Sequence, residues 1–211
     1  MKPFRGYSEI FSALCFSVIL LCLHPACSRT WEHDVVENGI RFKKITKPDN
    51  GNIIGFMAEN SVVQGFPCEK GWIHFRKDWT LLAFQLSEEC SYRGTLLPAH
   101  TWILLPHSEV RKGYACSFPF DYTVQGYTCR GTGGYKGVHT GFYDSGRLRS
   151  FYPSQNIDID GVPCKKTLLF NVELHENGKL GRCRLSMDHI VNGKVYKKGS
   201  VIGFDESGAV R

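Results

Sequence analysis

No stretch of this sequence is long and apolar enough to cross a bilayer as a helix. The longest apolar run, Phe11 to Leu23, has thirteen residues, where a spanning helix needs about 20. No block of Lys and Arg stands out. The 26 basic and 20 acidic side chains leave a formal charge of +6 spread through the chain. Such a charge favours solubility and leaves no footprint for nucleic acid, so no nucleic-acid partner is expected. After Leu23 no segment sustains a helical period. The signatures G-x-S-x-G, H-E-x-x-H, C-x-x-C and G-x-x-x-x-G-K-[ST] are all missing. Those absences point away from a polytopic membrane protein, a zinc finger and the common hydrolases, and no cofactor or metal is expected.

What is present begins with a leader. Lys2 and Arg5 precede the apolar run, and His24-Pro25-Ala26-Cys27-Ser28 follow it. A run of that length suits the h-region of a signal peptide. The small residue before Cys27 resembles a bacterial lipobox, in which the Cys becomes the acylated N-terminus of the mature chain. Leu23 lies one place further from Cys27 than the usual pattern puts it. The leading expectation is therefore a signal peptide over 1–27 with a candidate lipobox, exporting a lipoprotein to the cell envelope. Plain secretion and an uncleaved anchor stay open. Lys2, Arg5 and Glu9 together carry +1, so about +5 remains on the mature part. Residues 28–48 are polar and read as a spacer.

Residues 49–211 repeat. Five segments share the order apolar, polar, Gly, any, any, apolar: Val63 to Cys68, Tyr92 to Leu97, Val124 to Cys129, Ile159 to Cys164 and Val191 to Tyr196. Their glycines, Gly65, Gly94, Gly126, Gly161 and Gly193, are 29, 32, 35 and 32 residues apart. A second landmark is a turn-forming pair, a polar residue and an aliphatic one. It occurs at Asn50-Gly51, Ser145-Gly146, Asn177-Gly178 and Ser207-Gly208, with Asp78-Trp79 in the same slot and Ser108-Glu109-Val110 more loosely. From Ile53, Leu81, Leu148 and Leu180 to the next repeat glycine the distance is 12, 13, 13 and 13 residues; only Val110 departs, at 16. A period near 32 means an array of like units that bury their apolar faces against one another. Asn-Gly and Ser-Gly between runs rich in β-formers mark hairpins, and prolines near the motifs argue against long helices. The fold expected is all-β: antiparallel β-hairpins in an elongated meandering sheet.

Phe142-Tyr143-Asp144-Ser145-Gly146-Arg147-Leu148 and Leu174-His175-Glu176-Asn177-Gly178-Lys179-Leu180 resemble MORN-variant repeats. The resemblance covers about residues 49–211. It implies a meander of hairpins with a binding or scaffold role, sometimes antitoxin-like, and it carries over no catalytic residue. The period here is longer than is usual in that family, and its recurring Cys is not typical of it. An antitoxin role also conflicts with an export signal.

Six cysteines lie beyond the leader: Cys68, Cys90, Cys116, Cys129, Cys164 and Cys183. An even count in an exported chain is compatible with three disulfides in any of fifteen pairings. Yet Cys68, Cys129 and Cys164 share a slot that other units fill with Leu97 and Tyr196, which reads as an apolar packing position. Both readings stand on sequence alone.

Few segments suggest chemistry. Gly131 to Gly137 is glycine-rich but reads as an inserted loop, and Asn156 to Gly161 resembles a calcium loop without its closing Glu. Cys116 or Cys129 with His139 would make a nucleophile pair only if the fold brought them together. Trp72 and Trp102 read as core. Trp79 replaces a turn glycine, so it is expected at a hairpin tip, partly exposed and available to a partner. The chain therefore reads as a membrane-anchored, non-catalytic binder of a protein or glycan. An envelope hydrolase with a site gathered from His139, Asp144 and a Cys is the alternative; an intracellular antitoxin-like protein is a third.

Overall fold

Short β-prone runs cut every few residues by a polar-Gly pair can only zigzag, because each pair offers the positive φ of a tight turn. The computed structural model describes residues 30–49, 51–106, 113–131, 133 and 138–211. Cys27 and the rest of the leader, Asn50, Val110 and most of the Gly131–Gly137 stretch lie outside them. Residues 31–211 form one unit, and no helix occurs among the described residues.

A lead hairpin, β1 (Glu32–Glu37) and β2 (Ile40–Thr46), opens the sheet. In the first unit β3 (Ile53–Met57) runs into a small hairpin, β4 (Ser61–Val63) with β5 (Phe66–Cys68), and returns as β6 (Trp72–Phe75). The second comprises β7 (Leu81–Gln85), β8 (Cys90–Tyr92), β9 (Thr95–Leu97) and β10 (Trp102–Leu104). The third comprises β11 (Tyr114–Ser117), β12 (Tyr122–Val124), β13 (Tyr127–Cys129) and β14 (Thr140–Phe142). Next come β15 (Leu148–Phe151), β16 (Ile157–Ile159), β17 (Val162–Cys164) and β18 (Val172–Leu174). The fifth unit is β19 (Leu180–Arg184), β20 (His189–Val191), β21 (Lys194–Tyr196) and β22 (Val201–Gly203). The outer strands of every unit join one open, 12-stranded antiparallel sheet in chain order, and the five small hairpins stand outside its ladder.

The assignment of 28–48 to a spacer is corrected by β1 and β2, which put residues 32–46 in the sheet. The physical reason was readable: Ile40, Phe42 and Ile45 are buried. Asn38-Gly39 (φ 50° and 75°) supplies the turn.

All five repeat glycines play one part. Each follows a residue that also has positive φ, between 48° and 53° at Gln64, Arg93, Gln125, Asp160 and Asn192, and the pair forms the type I′ turn of a small hairpin. The second landmark closes the long hairpins: Tyr143, His175 and Asp205 each bond the residue four places on, and Gly146, Gly178 and Gly208 bond back to them. Arg76 and Trp79 repeat that pattern.

Burial alternates along the sheet strands, so one face is core. Phe84, Ile103, Cys116 and Thr140 pair in line across β7, β10, β11 and β14, all buried. The small hairpins cover that face. Val63, Cys68, Leu97, Val124, Cys129 and Ile159 join the same apolar cluster, and Cys68, Cys129 and Cys164 bridge singly to Leu86, Pro153 and Leu185 of the following unit.

Candidate functional site

The opposite face carries an unbroken row from β2 to β22. Thr46, Ile54, His74, Ala83, Leu104, Ala115, Gly141, Ser150, Glu173, Arg182 and Gly203 pair in succession. Small residues dominate its second half, and small side chains on a pleated face leave a trough. Two cavities occupy it, of about 670 and 320 Å3, and they share Arg149, Ser150 and Asn171. Tyr143, His175, Arg182 and Arg211 wall the larger; His139 and Tyr152 wall the smaller. The floor is tight at Gly141, where a Cβ would lie 2.6 Å from Ser150 Oγ, and open at Gly203, where the nearest atom would lie at 3.7 Å.

Aromatic rings gather near the other end of this face. Trp72 pairs with Phe56, their rings 5.2 Å apart, and Trp31 meets Trp72 at 6.0 Å. The Lys44 ammonium lies 4.9 Å from the Trp72 ring and 5.1 Å from that of Trp31. Trp72 is thus half-buried on the face opposite the core. Trp102 is buried, as expected, but it too points away from the core cluster, beside Gln85 and Ser117.

Trp79 stands at a hairpin tip with φ 65°, in the slot of Gly146, Gly178 and Gly208. Its ring is half-buried 5.3 Å from that of Phe75. With Asn38, Gln64 and Val62 it borders a cavity of about 310 Å3.

His139 and Asp144, named for the alternative hydrolase site, have separate partners. His139 Nδ1 lies 2.9 Å from Ser117 Oγ, and burial pushes the imidazole pKa down. Ser117 is fully buried. Asp144 pairs with Arg93 at a hairpin tip. Cys116 and Cys129 are buried; desolvation drives the Cys116 thiol well up and pushes Cys129 up to about 12, the direction that disfavours a thiolate nucleophile. The calcium-like segment is a turn, in which Asp158 accepts the Gly161 N–H and Asp160 the Leu180 N–H. Among the described residues no cluster of metal-ligating side chains occurs.

The six cysteines are thiols, five of them buried and Cys90 half-buried. Cys164 lies against Cys183 within side-chain hydrogen-bonding reach, which with burial drives its pKa far up.

One recurring feature went unread in the sequence. Asn60, Asp121, Asn156 and Asp188 each stand five residues before a repeat glycine, and each accepts the N–H ten places on, at 2.7 to 2.9 Å. The signal was an Asn or Asp at one fixed offset. No family model, curated protein or solved structure matches the chain.

Proposed function

We propose that the chain is an exported bacterial envelope lipoprotein, held to its membrane through Cys27, whose MORN-like β-repeat body binds a protein or glycan without catalysis. The observation that carries this reading is the trough on the face opposite the core. It runs across the strands, is floored by Ala115, Gly141, Ser150 and Gly203, and is walled by ring and guanidinium groups. Such walls hold an extended partner by stacking and charge-assisted bonds. The buried state of Ser117, Cys116 and Cys129 favours binding over acyl transfer.

The test pairs two measurements. Mass spectrometry of the mature N-terminus is expected to find an acylated Cys27; an unmodified chain beginning at Met1 ends the anchor reading. Cross-linked pull-down from membranes should yield a partner that Ser150→Trp, which fills the trough, releases while the far-UV spectrum is kept. Capture unchanged by Ser150→Trp would rule out the trough.

A further inference from the structure

Contrary to the expectation from sequence, the charge is not spread evenly: the excess of basic over acidic side chains, like the exposed apolar area, is concentrated at one end of the array. Residues 165–198 hold eight basic and three acidic side chains, a net +5. Six of the ten exposed large apolar side chains among the described residues fall between 168 and 201. The sharpest feature there is the turn between β17 and β18. Thr167 Oγ1 accepts the N–H groups of Leu169 and Phe170, at 3.1 and 3.2 Å. That bond fixes the turn and leaves Leu168 65% and Leu169 93% exposed. Phe170 tucks under it, with the Arg182 and Arg184 guanidinium groups 5.0 and 5.3 Å from its ring. Lys165 and Lys166 precede the turn. A cleft of about 510 Å3 lies between its side chains and Arg184.

We propose that the Thr167–Phe170 turn, with Lys165, Lys166 and Arg184 around it, docks onto an anionic lipid surface. Two adjacent leucines held out into water by a hydrogen-bonded turn have no solvent-facing benefit, and burying them is favourable. A protein partner would have to supply a pocket shaped to two adjacent, exposed leucines. The acyl region of a membrane accepts such side chains without one. Basic groups at the foot of the tip complement anionic headgroups at the depth where those groups would sit. The proposal takes its setting from the membrane-anchored reading, and it would fix which side of the array faces the bilayer.

The test is hydrogen exchange of the full chain with and without vesicles of phosphatidylglycerol and phosphatidylcholine. Amides of residues 166–170 are expected to exchange about tenfold more slowly on phosphatidylglycerol-containing vesicles. Pure phosphatidylcholine should give no protection, and about 1 M salt should remove it. Leu168→Ser with Leu169→Ser should abolish the local protection while the sheet amides keep theirs. A chain that sediments with the vesicles, held by its leader, yet leaves 166–170 unprotected overturns the docking surface and spares the anchor. Unacylated Cys27 in cells, with the turn still protected on vesicles, overturns the anchor alone.

Discussion

The Gln125 side chain accepts the backbone N–H of Leu148 at 3.0 Å, across 23 residues of sequence. Its Nε2 donates to the Gly146 carbonyl at 2.9 Å. Gln64 does the same for Leu81 and Trp79, and Asp160 accepts from Leu180. In these three units the polar residue before the repeat glycine thus clasps the tip of the following long hairpin. That contact joins the two landmarks whose spacing recurs in the sequence.

Removing a clasp leaves an amide and a carbonyl without their partner, so Gln125→Ala is expected to cost about 2 kcal/mol in urea unfolding. Gln125→Glu keeps the acceptor for Leu148 and loses the donor to Gly146, so its loss should fall between. Equal stability of all three proteins would show that water replaces the clasp at no cost.

Trp79 occupies a left-handed backbone position that its counterparts fill with glycine. Trp79→Gly and Trp79→Ala lose the same contact with Phe75, yet Ala keeps the strain that Gly relieves. The Gly variant should therefore be the more stable, by about 1 kcal/mol. The usual order, Ala above Gly, would mean the backbone there is unstrained.

Gly146 makes the complementary case. A Cβ on it would lie 2.0 Å from the Arg93 carbonyl oxygen, whereas one on Gly193 would meet nothing within 4 Å. Both have positive φ, so either Ala costs about 1 kcal/mol in strain. Gly146→Ala adds a backbone collision and should bring the total to about 3 kcal/mol or more. Thermal unfolding of the two variants compares them directly.

The array was legible because it is written locally. Gly65, Gly126 and Gly161 mark type I′ turns, and such a turn needs only two adjacent residues. The lead hairpin escaped because Asn38-Gly39 lies outside the repeat register and Arg41, Lys43 and Lys44 give β2 a polar look. Only the core-facing residues of β2 reveal it. The trough was not legible. Ala115, Gly141, Ser150 and Gly203 come from four strands in three units, and their alignment depends on the register of every intervening strand pair. A single slip would turn them to the core.

Burial sorts the thiols. Among the six described cysteines of the reduced chain, alkylation under native conditions should label Cys90 first, since Cys68, Cys116, Cys129, Cys164 and Cys183 are all buried. Desolvation also pushes Cys68 and Cys129 up to about 12, which starves the reagent of thiolate. Peptide mapping after a short pulse should find the five others labelled only on unfolding. Fast labelling of Cys129 would contradict the packed small hairpins.

Asp188 connects a small hairpin to acid stability. Its Oδ1 accepts the Lys198 N–H at 2.8 Å and its Oδ2 lies 2.9 Å from Lys197 Nζ. The backbone bond, then the lysine, hold its carboxyl below the ordinary value. A carboxyl with a depressed folded pKa binds its proton more readily when unfolded. Its contribution is therefore complete above about pH 4 and is lost as pH falls through the lower, folded value. Asn60 and Asn156 fill the same slot without a charge and make the same backbone bond. Asp188→Asn should therefore match the parent near neutral pH, because the exposed ion pair contributes little. Below about pH 4 its melting temperature should fall less steeply than that of the parent. Parallel melting curves from pH 7 to pH 2 would show that the bond to Lys198 does not depend on the carboxylate.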